Sequence, residues 1–219
     1  LEEAAKYLKI NLEGKKVAIL GFGNVGSSIA KLVHQAGCKI IAVTDMFGGV
    51  YNEKGIDPIA LAQHVVQTGS VINFPDCDPI DNETLIALPC DILIPAAVEG
   101  QINKFNASQI KAKIILEGAN GPTTTEADEI LNENQVFILP DILANAGGVT
   151  VSYLEWVQDL QRYFFSEEEV LKKTELIMKQ AFWDVIEIVT KNKVSMRDAA
   201  YILAVDRVAQ ALRALGRAA

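Results

Sequence analysis

A doubly wound α/β fold, with a mostly parallel sheet covered by helices on both faces, is what this sequence predicts. Three observations carry that expectation. Short runs that are apolar at nearly every position, at 17–20 (VAIL), 39–43 (KIIAV), 70–73 (SVIN), 91–95 (DILIP), 113–116 (KIIL) and 136–139 (VFIL), alternate with segments of helical period. Strands buried on both faces read as continuous apolar runs, whereas a half-solvated sheet alternates. The first run ends abruptly in the glycine turn 21–26 (GFGNVG) and then shows Ile29, Leu32 and Val33 at helical spacing. Glycine, proline and acidic residues also gather directly after the runs, where a doubly wound sheet places its ligand.

The elements follow in order. Residues 1–10 put Leu1, Ala4, Ala5 and Leu8 on one side of a short helix, and 11–14 turn into the first strand. After the second strand, 48–52 (GGVYN) reads as a turn into a small excursion. Asp57-Pro58 opens a helix to about residue 67, since aspartate suits the N-cap and proline the first turn. The third strand is expected at 70–73, a helical connector at 81–87, the fourth strand at 91–95, and helical structure at 107–110 before the fifth strand at 113–116. A helix at 125–134 precedes the sixth strand at 136–139. The last third is helical: 166–192 carries Val170, Ile177, Ala181, Val185 and Ile188 as a stripe, and 196–215 carries Tyr201, Ala204, Val208 and Leu212. Both stripes are expected to pack on the sheet or on a neighbouring domain. The whole chain, 1–219, reads as one nucleotide-binding domain with a sheet core at 10–145 and a helical part at 146–219.

In the glycine turn each glycine has a separate task. Gly21 permits the tight turn, Gly23 lets backbone approach a pyrophosphate, and Gly26 lets helix and strand pack closely. The helix N-terminus that follows offers N–H groups and a partial positive charge to phosphates. Asp45 stands just past the second run, roughly twenty residues beyond Gly26, where the dinucleotide fingerprint wants a carboxylate for the ribose 2′-hydroxyl. The turn is therefore Rossmann-like, and Gly21, Phe22, Gly23, Asn24, Val25, Gly26 and Asp45 are the candidate cofactor-binding residues. A carboxylate repels a 2′-phosphate, and no Lys or Arg adjoins Asp45, so NAD is expected over NADP. Lys54 leaves NADP possible if the loop folds back.

Composition excludes several classes. A net charge of −8 argues against nucleic acid, which needs a basic face. No apolar run reaches the length of a membrane span and no signal peptide is visible. Two distant histidines match no metal-ligand spacing, and three cysteines without a CxxC fit reduced thiols in a cytoplasmic compartment rather than disulfides or zinc. The chain starts at Leu1, already inside a helical pattern, so a preceding part of the natural protein is expected to be absent; any targeting peptide, mitochondrial included, would lie there.

Asn145, Val149, Ser152 and Trp156 are spaced four, three and four, which would place them on one helical face. Gly147-Gly148 at its start costs about 1 kcal/mol per glycine relative to alanine. That suggests close approach of a ligand or of packed backbone. Spacing alone leaves both readings open, a ligand-facing stripe and a tight helix–sheet contact.

Five blocks, GFGNVG, TDMFGGVYNEKGID, IPAAVEGQI, EGANGPTTTEAD and LPDILANAGGVTVSYLEWVQ, resemble in this order the nicotinamide-binding domain of the glutamate/leucine/phenylalanine/valine dehydrogenases. The resemblance covers essentially the whole chain. It implies that Ala96, Ala97, Ala119 and Asn120 line the nicotinamide end, with the Asn120 amide suited to the carboxamide, and that Asn145 is a polar contact near nicotinamide and substrate. It implies Val149 as a wall of the substrate pocket and Ser152 as donor to a side-chain carboxylate, since leucine-type members carry an aliphatic residue there. An unpaired buried carboxylate would cost several kcal/mol. The glutamate branch is thus favoured. The activity it implies is reversible oxidative deamination of L-glutamate, with hydride transfer from the α-carbon, hydrolysis of an imine, and release of 2-oxoglutarate and ammonium.

Family members hold their catalytic lysine and aspartate, and most of the amino-acid site, in a separate N-terminal domain that nothing here matches. Lys15 and Lys16 precede the first strand and are poor substitutes. No catalytic residue is expected in this chain, which alone would be inactive; intact relatives commonly form hexamers, so a homo-oligomer is expected. Two departures stand out: Gly100 where many relatives carry asparagine, and Thr125 where the family often has proline. Alternatives are a leucine- or phenylalanine-type dehydrogenase domain, a dinucleotide-sensing module without chemistry, and, more remotely, a methyltransferase.

Overall fold

The computed structural model describes residues 1–216. Helix α1 (Glu2–Leu8) ends in a left-handed Lys9 and leads to strand β1 (Lys16–Leu20), helix α2 (Asn24–Gln35) and strand β2 (Lys39–Thr44). Then come β3 (Gly49–Tyr51), α3 (Pro58–Thr68), β4 (Asp78–Ile80), α4 (Asn82–Ile86) and β5 (Ile92–Pro95). A 3-10 turn, Ala107–Gln109, precedes β6 (Ile114–Leu116), α5 (Thr125–Glu133) and β7 (Phe137–Leu139). The short α6 (Asp141–Ala144) and the longer α7 (Gly147–Gln161), α8 (Glu167–Asn192) and α9 (Met196–Ala214) complete the order. Two units divide at Asp141: Leu1–Asp141 and Ile142–Ala219.

The first unit is built on a seven-stranded sheet in the order β4-β3-β2-β1-β5-β6-β7. Strands β2, β1, β5, β6 and β7 are parallel, as the apolar runs demand. Sequence order runs outward in both directions from β1, which makes the gap between β1 and β5 the topological switch point. Register keeps the strand ends level, because Leu20 pairs with Thr44 on one side and Pro95 on the other, and Leu116 pairs with Leu139. The loops after these strands therefore emerge along one edge.

Both faces of the central strands are sealed. Ala18, Leu20, Ala42, Leu93, Ile115 and Ile138 share one face with Leu85, Ile102, Ala127 and Leu131. Val17, Ile19, Ile92 and Ile94 alternate to the other face and are equally buried. Each such aliphatic side chain contributes about 1.5–3 kcal/mol by leaving water. Helix α3 starts as its sequence predicts: the Asp57 carboxylate accepts from the N–H groups of Ile59 (2.8 Å) and Ala60 (3.4 Å), with proline in the first turn.

The strand expected at 70–73 is a correction. That stretch is bent, with Asn73 at φ 59°, and its polar groups are satisfied by side chains rather than by a ladder. The Asp45 carboxylate takes the Ser70 hydroxyl and the Val71 N–H, and the Thr68 hydroxyl donates to the Ser70 carbonyl. The sheet instead extends through β3 and β4, both antiparallel to their neighbours, and β3 occupies the expected turn at 48–52. Gly49 is required there, since a Cβ would lie 2.4 Å from Thr44 Cγ2 and 2.7 Å from the Val43 carbonyl oxygen.

The second unit is helical. A capping box fixes the start of α8: the Ser166 hydroxyl accepts from Glu169 N–H while the Glu169 carboxylate accepts from Ser166 N–H. Ser195 caps α9 by accepting from Asp198 N–H, and Arg207 pairs with Asp184 across α8 and α9. Of the stripe expected on α8, Val185 is buried and Ile177 is exposed; on α9, Tyr201, Val208 and Leu212 are exposed. The α9 stripe is therefore not packed within the described chain. Burial is confined to the first turn and a half, at Met196, Ala199 and Ala200. Among the described residues no helix is long and apolar enough to cross a membrane.

Candidate functional site

The carboxyl edge of the first unit gathers the residues singled out there. Gly21 sits at φ +104°, and a Cβ on it would lie 2.6 Å from Ala97 Cβ and 2.8 Å from Ala97 N. Its N–H donates to the Thr44 carbonyl (2.9 Å), joining the ends of β1 and β2. Gly26 is more constrained still: a Cβ there would fall 1.9 Å from the Gly21 carbonyl oxygen. Gly21 is thus consumed by packing against the loop after β5, and Gly26 by packing against the turn itself. Gly23 is not, for nothing lies within 4 Å of a Cβ built on it. It also serves as N-cap of α2 without a side-chain cap, and the first turn of that helix holds no acidic residue. Phe22 is buried, whereas Asn24 and Val25 are exposed beside it.

Asp45 already has work within the chain. One carboxylate oxygen accepts from Phe47 N–H (2.8 Å); the other accepts from the Ser70 hydroxyl (2.7 Å) and Val71 N–H (2.8 Å). A carboxylate offers about four lone-pair sites, so the three bonds leave the Phe47-facing oxygen room for one more donor. Beside this loop lies a cavity of about 590 Å³, lined by Phe47, Gly48, Ile72, Asn73, Cys77 and Thr84 among others. Burial raises the Cys77 thiol above its usual range. The Thr44 hydroxyl, 1 % exposed, has no hydrogen-bond partner in the structure, a state that costs about 1–3 kcal/mol.

Across the switch point, Ala96 is buried and donates to the Leu20 carbonyl (2.8 Å), while Ala97 is exposed against the glycine turn. The loop after β6 is bound to its surroundings at almost every residue. Gly118 and Ala119 both donate to the Pro95 carbonyl (3.0 Å), and a Cβ on Gly118 would lie 2.8 Å from Ile29 Cδ1. Gly121 accepts from Gly100 N–H and donates to the Asp141 carboxylate (2.7 Å). Asp141 N–H in turn donates to the fully buried carboxylate of Glu117 (2.8 Å). Asn120 is exposed in the middle of this loop. Glu117 and Asp141 had drawn no role from the sequence; the signal was there in two acidic residues placed directly after adjacent apolar strands.

In the second unit the expected stripe needs a correction. Asn145 lies in the turn between α6 and α7, because α7 begins only at Gly147, so it does not share a helical face with Val149, Ser152 and Trp156. Those three are on α7 and exposed, Val149 at 70 % and Trp156 at 58 %. No backbone of the chain crowds Gly147 or Gly148, where a Cβ would meet nothing within 4 Å. The departures from the family pattern have simple geometry. Gly100 has φ +67°, a left-handed conformation that asparagine also tolerates. Thr125 is the first residue of α5, a position that suits proline equally, with Thr124 as the cap. Among the described residues no cluster of side chains could hold a metal ion.

Comparison with known proteins agrees with the fold. The model of the Glutamate/Leucine/Phenylalanine/Valine dehydrogenase family matches residues 1–216, and the chain belongs to that family. It is 51 % identical over 214 residues to a glutamate dehydrogenase of Thermotoga maritima, a match covering 97 % of this chain and 51 % of that protein. A cryptic catabolic NAD-specific glutamate dehydrogenase of Bacillus subtilis is 44 % identical over 216 residues, covering 99 % and 50 %. Among solved structures, the leucine-bound hetero-hexameric glutamate dehydrogenase of Thermus thermophilus superposes with a TM-score of 0.90 at 31 % identity, over 97 % of this chain and 50 % of that one. The glutamate dehydrogenase of Peptoniphilus asaccharolyticus gives 0.82 at 35 %, over 98 % and 50 %. The chain spans about half the length of the relatives it matches.

Proposed function

We propose that this member of the family is the coenzyme-binding half of a glutamate dehydrogenase, which catalyses the reversible oxidative deamination of L-glutamate to 2-oxoglutarate and ammonium. The observation that carries the reading is the division of labour among the glycines. Gly21 and Gly26 are locked by contacts, while Gly23 leaves an open, uncapped helix N-terminus level with the ends of β2 and β5. A dinucleotide fits this donor set, because the N–H groups of the first turn of α2 and the helix dipole favour a pyrophosphate. Asp45 would hold the ribose diol through its remaining lone pair, Ala96, Ala97 and Ala119 would border the nicotinamide end, and Asn120 would receive the carboxamide.

When bound, the nicotinamide supplies hydride acceptance and donation. This chain's residues bind and orient. Ser152 would donate to the substrate's side-chain carboxylate, Val149 would bound the pocket, and Asn145 would supply a polar ligand contact. The amino-acid site is shared with an N-terminal domain that carries the acid–base groups, so this chain alone binds coenzyme without turning over glutamate. The intact enzyme is a homo-oligomer. The name of the Bacillus subtilis relative, NAD-specific, and the carboxylate at 45 support NAD over NADP.

A fluorescence titration of the chain with NADH and with NADPH, repeated on Asp45→Ser, tests the reading. Tighter NADH binding in the parent and a relative gain for NADPH in the variant are expected. Unchanged discrimination in the variant removes Asp45 from the account, and equal binding of both by the parent removes the NAD preference.

A further inference from the structure

Resting on the reading of Ala119–Asn120 as the nicotinamide end, we propose that Glu117 and Asp141 are positioning residues that set the affinity for the nicotinamide half of the coenzyme without touching it. Asn120 is held between two pinned amides. Ala119 N–H on its amino side donates to the Pro95 carbonyl (3.0 Å), and Gly121 N–H on its carboxyl side donates to the Asp141 carboxylate (2.7 Å). Asp141 is fixed in turn, because its own N–H, the first of α6, donates to Glu117 (2.8 Å). Glu117 is 0 % exposed, and its N–H donates to the Leu139 carbonyl (3.1 Å), so it is anchored in the sheet at the end of β7.

Each acidic residue thus accepts from backbone on the other's strand end: Glu117 from the β7 side, Asp141 from the β6 side. The pair staples the two strand ends into one surface. The charges also suit their places. A carboxylate at a helix N-terminus satisfies an N–H that has no intrahelical partner. Burying such a charge is tolerable only when it is hydrogen-bonded, which makes each bond costly to remove. Gly121 has φ +54°; its carbonyl accepts from Gly100 N–H (2.8 Å) and the next carbonyl, Pro122, from Ile102 N–H (2.9 Å), whereas its own N–H is the group that the Asp141 carboxylate holds. Loss of the Asp141 bond would release the peptide between Asn120 and Gly121 and so shift the backbone that carries the Asn120 amide. The adenosine side, at Gly21–Gly26 and Asp45, shares none of these bonds.

The test compares NADH with ADP-ribose, which lacks the nicotinamide, as ligands of the parent chain and of Asp141→Ala, Asp141→Asn, Glu117→Ala and Glu117→Gln. Melting curves identify any variant that fails to fold, and Asp141→Ala, at a partly exposed position, carries the test if Glu117→Ala unfolds. Loss of one charge-assisted bond is expected to weaken NADH about tenfold in the alanine variants and to leave ADP-ribose within about twofold. The amide variants, which keep an acceptor, should regain most of the difference. Equal weakening of both ligands, or no weakening of NADH, overturns the staple's role. A parent chain that binds NADH no better than ADP-ribose overturns the reading of the nicotinamide end, and the staple's role with it.

Discussion

Two regions of this molecule carry glycines beside functional candidates, and they are built in opposite ways. At the carboxyl edge of the first unit, Gly21, Gly26, Gly49 and Gly118 each stand where a Cβ would collide with a named atom, three of them with backbone. The carboxylates of Asp45, Glu117 and Asp141 are each bonded to backbone N–H groups across the fold. At the start of α7, Gly147 and Gly148 face open space, and Val149, Tyr153, Trp156 and Leu160 are exposed along one side of the helix. The first region is pre-organised by the chain itself. The second presents exposed side chains on a helix start that nothing in the described chain crowds.

Substituting the glycines separates the two most sharply. Gly26→Ala forces a Cβ to within 1.9 Å of the Gly21 carbonyl oxygen, so the strand–turn–helix unit must shift. A loss of about 3 kcal/mol or more in denaturant unfolding is expected, together with loss of NADH binding. Gly148→Ala should do the reverse, raising stability by up to about 1 kcal/mol through helix propensity and a stiffer unfolded chain. A destabilised Gly148→Ala would mean that α7 is packed more closely than the contrast allows.

A middle-sized effect is expected at the opposite edge of the sheet. Burial alone would raise the Asp91 carboxyl, but the Lys16 N–H (2.9 Å) and the Lys15 ammonium (3.1 Å) more than offset it, and Asp91 lies below its usual range. A lowered folded value means that its stabilisation is complete above the unfolded pKa of about 3.9 and is lost as pH falls through the folded one. Asp91→Asn should therefore melt about 2–4 °C below the parent at pH 7. The gap should narrow toward pH 3, with NADH affinity untouched. A gap that widens in acid would reverse the sign argued here.

Much of this was legible beforehand, and what was not has physical causes. Runs such as VAIL at 17–20 announce buried parallel strands because every position is apolar, and Asp57-Pro58 announces a helix start through local bonding. The antiparallel strands β3 and β4 have three residues each, too few for a period to register. Residues 70–73 looked like a strand for their central Val and Ile, while what decides them is Asp45, distant in sequence. Asn145 fell on the wrong side of a helix boundary because the apolar rhythm runs through the turn at 145–146. The bonds joining Glu117, Gly121 and Asp141 link separate strand ends, and only the sheet order brings them together.

The function proposed above holds that the coenzyme surface is complete in this chain and the substrate surface is not. A fluorescence titration of the chain with NADH, with and without saturating 2-oxoglutarate, tests it directly. Saturable NADH binding that 2-oxoglutarate leaves unchanged is the predicted result. Failure to bind NADH would contradict the claim that the coenzyme surface is complete, and a marked shift of NADH affinity by 2-oxoglutarate would contradict the claim that the substrate surface is not.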